Sequence, residues 1–377
     1  MARKKRSPSR IRLIAACVAL IALGGAVYIL DQHAHLGIVE RLPEVAGGAS
    51  DSLSTAFRWP GGATDAGDAS GSIEVYFAPT HALSPIGVHK QFIRFLEGAE
   101  RSIYCAFYEL QRPEAAEALI AKHRTGVDVA IVSDTHYEDR EAVVKCIEAG
   151  IPVVFDKRSA FMHNKFCVID GAHVWTGSTN ITENGMFRNN NNALLISSPK
   201  LAVNYTNEHA EMFKDRRFGS RSPKNTTYPQ FHLGVIEIEC YFAPEDGVEE
   251  EIVDELRVAG KTIDFMAFSF TSKPIAEIMA ERMRAGVRVR GLFERRNASS
   301  KHAQDDFLAE SGAAVYMDRN RYTMHHKVII IDANTVITGS YNFSAAANES
   351  NDENLLIVHD PAIARKYTAE FERLIVP

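Results

Sequence analysis

From residue 73 onward, short apolar runs alternate with segments whose apolar residues recur at helical spacing. Short runs of β-branched and aromatic residues predict strands, whereas helical periodicity predicts helices. In the first half of this region the predicted strands are Ile73–Phe77, Ser102–Leu110 and Val127–Ser133, and the predicted helices are His89–Gly98, Glu114–His123 and Glu141–Ala149. Alternating strands and helices predict an α/β fold, with mixed, mostly parallel sheets flanked by helices.

The same pattern is written twice along the chain. Three short motifs recur in the same order and at nearly constant separation. The pairs are Tyr76–Pro79 with Tyr241–Pro244, Ala106–Phe107 with Ala267–Phe268, and Gly126–Val129 with Gly286–Val289. A period this long indicates a domain duplication and not a solenoid. We therefore expect two lobes, 74–215 and 236–377, joined by an interlobe linker, 216–235, and related by a pseudo-twofold axis.

The segment before the repeat differs in character. Residues 13–30 carry no charge and follow a basic flank, 1–12. Eighteen residues rising about 1.5 Å each span about 27 Å, which is close to the hydrocarbon core of a bilayer. This predicts a transmembrane signal anchor with its basic flank in the cytoplasm, a flexible linker over 31–73, and extracytoplasmic lobes. A cleaved signal peptide, which would release a secreted protein, is the alternative.

Composition and charge narrow the class of protein. Apolar residues make up 46% and charged residues 24% of the chain, which is typical of a globular protein. After position 30 there are 36 basic and 48 acidic residues, a net charge of −12 that disfavours nonspecific coating of nucleic acid. The five cysteines form no CxxC pair. Those beyond the anchor are expected to be buried thiols, and a disulfide stays open if the compartment is oxidising.

Each lobe ends with the same polar signature inside apolar strands. It reads HxK, four apolar residues and Asp, followed after six residues by GSxN. Its polar members are His163, Lys165, Asp170, Ser178 and Asn180 in the first lobe, and His325, Lys327, Asp332, Ser340 and Asn342 in the second. Residues two apart in a strand share a face, so each His and Lys project together. Polar groups beside a buried strand are costly unless they form a network, which predicts one composite site.

These two copies resemble the signature of the phospholipase D superfamily, whose two-lobed members carry HxKxxxxD…GSxN twice. The resemblance implies a phosphodiesterase in which one imidazole attacks phosphorus and the other protonates the leaving oxygen and then activates water. The groups expected to bind the phosphate are Lys165, Lys327, Asn180, Asn342, Ser178 and Ser340. Because the lysines supply positive charge, no metal or other cofactor is expected. Asp170 and Asp332 are also predicted members of the catalytic set. We expect them to support the reacting residues from behind the site without reacting themselves.

An asymmetry between the copies predicts which histidine attacks. Aligning the GSxN motifs sets Asn191 opposite Glu353, and in the family a residue at this position holds the imidazole. We expect Glu353 to raise the pKa of His325, which suits a general acid, and Asn191 to leave His163 neutral. His163 is therefore the expected nucleophile. The neighbouring His326 should face away and be structural.

The substrate stays open between two classes. The anchor and the acidic lobes favour a phospholipid headgroup phosphodiester, whereas a nuclease acting on single-stranded DNA or RNA is the alternative. A phosphatidyl transferase of the cardiolipin-synthase kind is less favoured, and two intact motifs disfavour a catalytically silent scaffold. The segments Lys157–Arg158 and Arg319–Arg321 are candidates to bind the anionic part of a substrate, and Tyr137 and Tyr322 are expected near the cleft. A duplicated chain predicts a monomer with both half-sites.

Overall fold

Two sheets flanked by helices form the described part of the chain, which comprises residues 71–80 and 86–376 of the computed structural model. The basic flank, the predicted anchor and the linker up to residue 70 lie outside the described residues. Within the described ranges, no helix is long and apolar enough to cross a membrane.

The first lobe contains a seven-stranded sheet in the order β1-β7-β6-β5-β2-β3-β4. Its strands are β1 (Ser72–Ala78), β2 (Ser102–Phe107), β3 (Asp128–Ser133), β4 (Val153–Phe155), β5 (Lys165–Ile169), β6 (His173–Gly177) and β7 (Asn191–Ser197). Its helices are α1 (Val88–Glu97), α2 (Pro113–Arg124), α3 (Glu141–Glu148), α4 (Glu183–Phe187) and α5 (Pro199–Phe213). The elements predicted between residues 73 and 149 are thus confirmed, with shifted ends.

The second lobe repeats this plan with one additional strand. Its sheet has the order β12-β11-β10-β13-β14-β15-β9-β8. Its strands are β8 (Gln230–Leu233), β9 (Ile236–Ala243), β10 (Thr262–Ala267), β11 (Arg288–Phe293), β12 (Ala314–Met317), β13 (Lys327–Ile331), β14 (Thr335–Gly339) and β15 (Glu353–His359). Its helices are α6 (Val248–Arg257), α7 (Lys273–Arg284), α8 (Arg295–Ala298), α9 (Asp305–Glu310), α10 (Ala345–Glu349) and α11 (Pro361–Ile375).

The predicted mixed sheets flanked by helices are confirmed, but the expected predominance of parallel strands is wrong. In the first sheet only β2·β3 and β3·β4 are parallel, and the other four pairings are antiparallel. The reason is the short connection between β5 and β6, which runs from Ile169 to His173. A connection this short can only join antiparallel strands. The second sheet follows the same rule at β13 and β14.

The predicted interlobe linker is partly structured. Strand β8 lies within 216–235 and pairs antiparallel with β9. Phe231 and Leu233 alternate with exposed residues along this strand and are buried, which is the pattern of an edge strand with one face on a core. The linker therefore extends the second sheet.

Two closing helices pack between the sheets and hold the lobes together. Helices α5 and α11 each begin with proline after a capping side chain, Ser198 for α5 and Asp360 for α11. The phenol of Tyr205 on α5 donates to Asn354 of the second lobe at 3.2 Å. Asn192 of the first lobe donates to the phenol oxygen of Tyr367 on α11 at 2.9 Å. One apolar core cluster accordingly takes residues from both lobes.

Candidate active site

The backbone before each motif histidine crosses into the other lobe. The amide of His163 donates to the carbonyl of Asp352 at 2.9 Å, and the amide of His325 donates to the carbonyl of Asn190 at 2.8 Å. Asp352 and Asn190 directly precede β15 and β7, so each motif strand starts beside a strand of the other lobe. This reciprocal crossing brings the two half-sites together.

Each imidazole is held by a residue of the opposite lobe. Nδ1 of His163 lies 2.7 Å from Oε2 of Glu353, and Nδ1 of His325 lies 2.8 Å from Oδ1 of Asn191. The expectation that Glu353 holds His325 and Asn191 holds His163 is therefore wrong. The physical reason is the crossing of the backbone, which places each histidine against the first residue of the other lobe's strand.

Both motif lysines are buried beneath an aromatic ring. Nζ of Lys165 and of Lys327 donates to the carbonyl of the motif histidine two residues earlier, at 2.6 and 2.9 Å. Each ammonium also lies 4.8 Å from a ring centre, Tyr108 for Lys165 and Phe268 for Lys327. Such cation–π contacts help to hold a charge inside a protein. Each lysine is thus fixed beside its own histidine.

The two rings correct the sequence alignment of the repeat. Phe107 pairs with Lys165 and Ala267 pairs with Lys327, so Phe107 is the equivalent of Ala267, and Tyr108 is the equivalent of Phe268. The match of Ala106–Phe107 with Ala267–Phe268 is therefore wrong by one position. Carrying the alignment of Gly126–Val129 with Gly286–Val289 back to β2 without a gap would have identified both rings from the sequence.

Burial and the two lysines control the protonation of the site. Burial, together with the charges of both lysines, lowers the pKa of His163 well below 6.5, and the same causes lower that of His325. Burial also lowers the pKa of Lys165 to about 7, against the opposing effect of Glu353. Burial raises the pKa of Glu353 to about 7, against the opposing effect of Lys165. Both imidazoles are consequently neutral near pH 7.

The GSxN residues divide into two roles. Oδ1 of Asn180 and Oδ1 of Asn342 are buried without a hydrogen-bond partner, so neither amide is held through its oxygen. Ser178 instead donates to Asn191 at 3.0 Å, and Ser340 donates to Glu353 at 2.7 Å. The serines, expected among the phosphate ligands, therefore orient the partners of the histidines, and the phosphate-binding role of the asparagines stays a prediction.

Asp170 and Asp332 do not reach the site. Asp170 follows the far end of β5 and accepts hydrogen bonds from the backbone amides of residues 100, 101 and 102 at 2.7–2.9 Å. Asp332 follows β13 and caps residues 260–262 in the same way, at 2.7 Å each. Their inclusion in the catalytic set is therefore corrected, since they fix the loops at the opposite end of the motif strands.

A second reciprocal layer lies behind the histidines. The residue between His and Lys of each motif contacts an asparagine of the other lobe: Asn164 accepts from Asn354 at 2.7 Å, and Nδ1 of His326 lies 3.2 Å from Oδ1 of Asn192. His326 is fully buried and also lies 3.4 Å from Glu370. The predicted structural role of His326 is consistent with these contacts.

The predicted basic segments take two different positions. Lys157 and Arg158 line a cavity of about 470 Å³ together with Arg216 and Arg221 of the interlobe segment. Arg158 also forms ion pairs with Asp156 and Asp352. In the other basic segment, Tyr322 lies three residues before His325, and the guanidinium carbon of Arg321 lies 5.2 Å from its ring centre. The predicted Tyr137 lies 5.0 Å from Tyr108, the ring beside His163.

The cysteines are only partly as expected. Cys146 and Cys240 are buried thiols, whereas Cys105 and Cys167 form a disulfide between β2 and β5. These two residues are direct cross-strand partners, which the sequence alone did not reveal.

One cluster with the spacing of metal ligands is present among the described residues. Ligand atoms of Glu239, Glu255 and His359 lie within 4.8 Å of one another. His359 ends β15, whereas Glu353 begins it, so the cluster lies at the end of the strand opposite the histidines. It contributes nothing to the candidate active site.

Comparison with known proteins identifies relatives of both lobes. The family described as "Cardiolipin synthase, PLD-like domain" matches residues 92–213 and 252–375, about two thirds of the chain. A phospholipase D of Rickettsia bellii is 32% identical over 145 residues, which is 38% of this chain and 72% of that protein. The mitochondrial cardiolipin hydrolase of Xenopus laevis is 33% identical over 135 residues, 36% of this chain and 64% of that protein. Each of these relatives aligns over about the length of one lobe.

A solved structure shows the same two-lobed arrangement. Phosphatidylserine synthase of Haemophilus influenzae superposes with a TM-score of 0.63 over 80% of this chain and 86% of that chain, at 16% identity. This similarity supports the fold, with two related α/β lobes in one chain.

Proposed function

The chain belongs to the cardiolipin synthase, PLD-like domain family of phosphodiesterases, and we propose that it hydrolyses the headgroup phosphodiester of a phospholipid. The observation that carries the proposal is the pair of imidazoles, each fixed by the other lobe beside a buried lysine. The proposed chemistry passes through a phosphohistidine and needs no metal.

The lysines prepare the site for a phosphodiester anion. Lys165 and Lys327 place two ammonium groups where the non-bridging oxygens would develop charge, and Asn180 and Asn342 contribute their amides. Positive charge that is already in position stabilises a phosphoryl transition state without a reorganisation cost. The bound anion in turn raises the pKa of the neighbouring His325, so that this imidazole can carry the proton that the leaving group needs.

We assign His163 as the nucleophile, by an argument different from the one that the sequence suggested. Glu353 accepts the Nδ1 proton of His163 and leaves Nε2 as the attacking atom. When Nε2 bonds to phosphorus the ring becomes cationic, and the Glu353 carboxylate stabilises that charge. Nδ1 of His325 faces only neutral oxygens, those of the Asn191 amide and the Ser178 carbonyl, so its imidazolium is the stronger acid.

The proposed reaction has two balanced steps. First, the P–Nε2 bond to His163 forms while the bond from phosphorus to the leaving oxygen breaks, and that oxygen takes the Nε2 proton of His325. Then His325 removes a proton from water, whose oxygen attacks phosphorus and breaks the P–N bond. The products are an alcohol and a phosphomonoester, and His163 is regenerated.

The decisive experiment offers the purified full chain labelled phospholipid vesicles and labelled single-stranded oligonucleotides in parallel, in the presence of EDTA. We expect lipid cleavage that His163→Ala abolishes, and a ³²P label trapped on His163. Cleavage of oligonucleotides alone would assign a nuclease instead, loss of activity in EDTA would refute the metal-independent chemistry, and label on His325 would reverse the two roles.

We further propose that residues 13–30 anchor the protein in a membrane with the lobes outside the cytoplasm. The uncharged run and its basic flank support this topology, and the Cys105–Cys167 disulfide suits an oxidising compartment. A fusion of the C-terminus to alkaline phosphatase, which is active only outside the cytoplasm, tests the orientation. An inactive fusion would contradict it.

A further inference from the structure

The two rims of the active site differ, although the lobes that carry them are copies. Asp134 and Glu294 are equivalent, because each accepts a hydrogen bond from the amide of the methionine before the motif histidine, at 2.9 and 2.8 Å. Two residues further along, His136 in the first lobe is therefore the equivalent of Arg296 in the second. Residues that differ at equivalent positions therefore distinguish one rim from the other.

The rim on the His163 side is aromatic. The ring of Phe161 lies 5.4 Å from the rings of both His136 and Tyr108. Tyr108 in turn lies 4.7 Å from the ring of His163 and 5.0 Å from that of Tyr137. Phe161 is exposed, so this rim offers an apolar surface directly beside the proposed nucleophile.

The rim on the His325 side carries arginines around one ring. The guanidinium carbons of Arg188 and Arg321 lie 5.3 and 5.2 Å from the ring centre of Tyr322, which shortly precedes His325 in the chain. Arg296 donates to the carbonyl of Tyr322 at 2.5 Å and to the hydroxyl of the next residue at 2.6 Å. Two cations are thus held on one ring, and a third, which pairs with Glu294 at 2.6 Å, lies against its backbone.

The equivalent positions on the other rim carry no arginine. In the alignment that sets His163 opposite His325, the equivalents of Arg188 and Arg321 are Ser350 and Ser159. The positive charge of Arg188 is partly neutralised by Glu183 at 3.4 Å, whereas Arg321 has no ion pair among the described residues. Two guanidinium groups on one ring repel each other, and a bound anion would relieve that repulsion.

We infer that Arg188, Arg321 and Tyr322 form a subsite for an anionic leaving group, specifically for a phosphate on the alcohol that departs. The inference rests on the proposed function, because an in-line displacement places the leaving oxygen opposite His163 and beside His325. The P–O bond breaks there and its oxygen takes the proton of His325, so the departing alcohol lies against the arginine rim. The aromatic rim then contacts the apolar part that stays on phosphorus.

This division of the rims favours a lipid over an oligonucleotide. An oligonucleotide carries phosphates on both sides of the scissile bond, whereas Arg321, which has no ion pair among the described residues, lies on one side only. On the aromatic side, Arg140 lies 5.1 Å from the ring centre of Tyr137, but Glu109 neutralises its charge at 2.7 Å. A phospholipid whose headgroup bears a second phosphate matches both rims.

The test compares two lipids that differ by one phosphate, phosphatidylglycerol phosphate and phosphatidylglycerol, in otherwise identical vesicles with the full chain. We expect kcat/KM to be about tenfold or more higher for the first lipid. In Arg188→Gln/Arg321→Gln this ratio should fall to about one. Arg288→Gln, an exposed arginine at the amino end of β11, serves as the matched control and should keep the ratio. A wild-type ratio of one, or an unchanged ratio in the double variant, would overturn the subsite.

A soluble reporter separates failure of the subsite from failure of the proposed function. If neither lipid is cleaved but bis(p-nitrophenyl) phosphate is, the phospholipid assignment fails while the chemistry stands. Glycerol 3-phosphate should then inhibit the wild type about tenfold more strongly than the double variant, since it carries the phosphate of the departing alcohol. Equal inhibition of both would overturn the subsite on its own.

Discussion

At the scale of single residues, the site depends on a carboxylate and an amide at equivalent positions. Sequence comparison identifies Asn191 and Glu353 as equivalents, but it contains no information on which lobe each one faces. That depends on the backbone crossing, which only the assembled lobes define. The motif itself predicted both histidines, both lysines and both asparagines, because their types and spacing carry the chemistry.

Replacing Glu353 tests the exchanged pairing. In Glu353→Gln the shape is kept, but the charge that stabilises a cationic phosphohistidine is lost, and kcat should fall about 10²- to 10⁴-fold. Glu239→Gln is the matched control, since Glu239 is a buried glutamate 3.0 Å from His359 at the other end of β15. Steady-state kinetics on bis(p-nitrophenyl) phosphate measure both variants. A kcat for Glu353→Gln within about threefold of wild type would contradict the assigned role.

The pH dependence follows from the shifted pKa values of Glu353 and the two motif lysines. Glu353 must be ionised to hold the Nδ1 proton of His163, and its pKa is raised to about 7, so kcat/KM should rise with pH through this value. Lys165 and Lys327 must both be protonated, and burial lowers both of their pKa values, that of Lys165 to about 7, so the rate should fall again at higher pH. Bound phosphodiester adds negative charge, which raises the pKa values of Glu353 and of both lysines. The bell-shaped profile of kcat should therefore lie at higher pH than that of kcat/KM, and coincident profiles would contradict this account.

At the scale of secondary structure, the aspartates of the motif belong to the ends of strands and not to the chemistry. Asp170 and Asp332 both adopt a positive φ, of 56° and 52°, in the turn that follows the motif strand. The sequence placed them correctly within the motif, but the whole length of β5 or β13 separates them from the histidines. Each aspartate also begins a short hairpin, whose two strands must be antiparallel. The alternation of helices and strands in the sequence had suggested mostly parallel pairing instead.

Substituting these aspartates should affect stability and leave the chemistry intact. Burial alone would raise the pKa of Asp170, but the backbone amides of residues 100–102 outweigh it and lower that pKa. Asp170→Asn should therefore lower the free energy of unfolding by about 1–3 kcal/mol at pH 7. The contribution is present above the usual pKa of aspartate and is lost as pH falls through the lowered value, so the difference between the proteins should shrink in acid.

Urea denaturation at neutral and acidic pH measures this effect, with the exposed Asp139→Asn as control. The kcat of folded Asp170→Asn should stay within about threefold of wild type, since Asp170 lies at the far end of β5. A loss of about a hundredfold in a variant that remains folded would place Asp170 in the catalytic machinery after all.

At the scale of the whole molecule, the duplication was readable from the sequence, whereas the reciprocity of the lobes was not. The repeat predicted two lobes and one composite site. It did not reveal that each lobe supplies the residue that holds the other's histidine. The supporting contacts, between Asn354 and Asn164 and between Asn192 and His326, likewise join residues that are far apart in the chain. Such distant pairs leave no local pattern in a single sequence.

This reciprocity predicts how two damaged chains behave together. Because His163, Glu353, His325 and Asn191 all meet within one chain, a mixture of His163→Ala and His325→Ala proteins should show no more activity than either alone. Refolding the two variants together from urea and assaying bis(p-nitrophenyl) phosphate hydrolysis measures this, and wild type refolded with His163→Ala provides the control for recovery. If instead the lobes paired between chains, mixed dimers would contain one intact set of histidines and activity would return. Absence of recovery under conditions where the control recovers would establish that the chain is a self-sufficient catalytic unit.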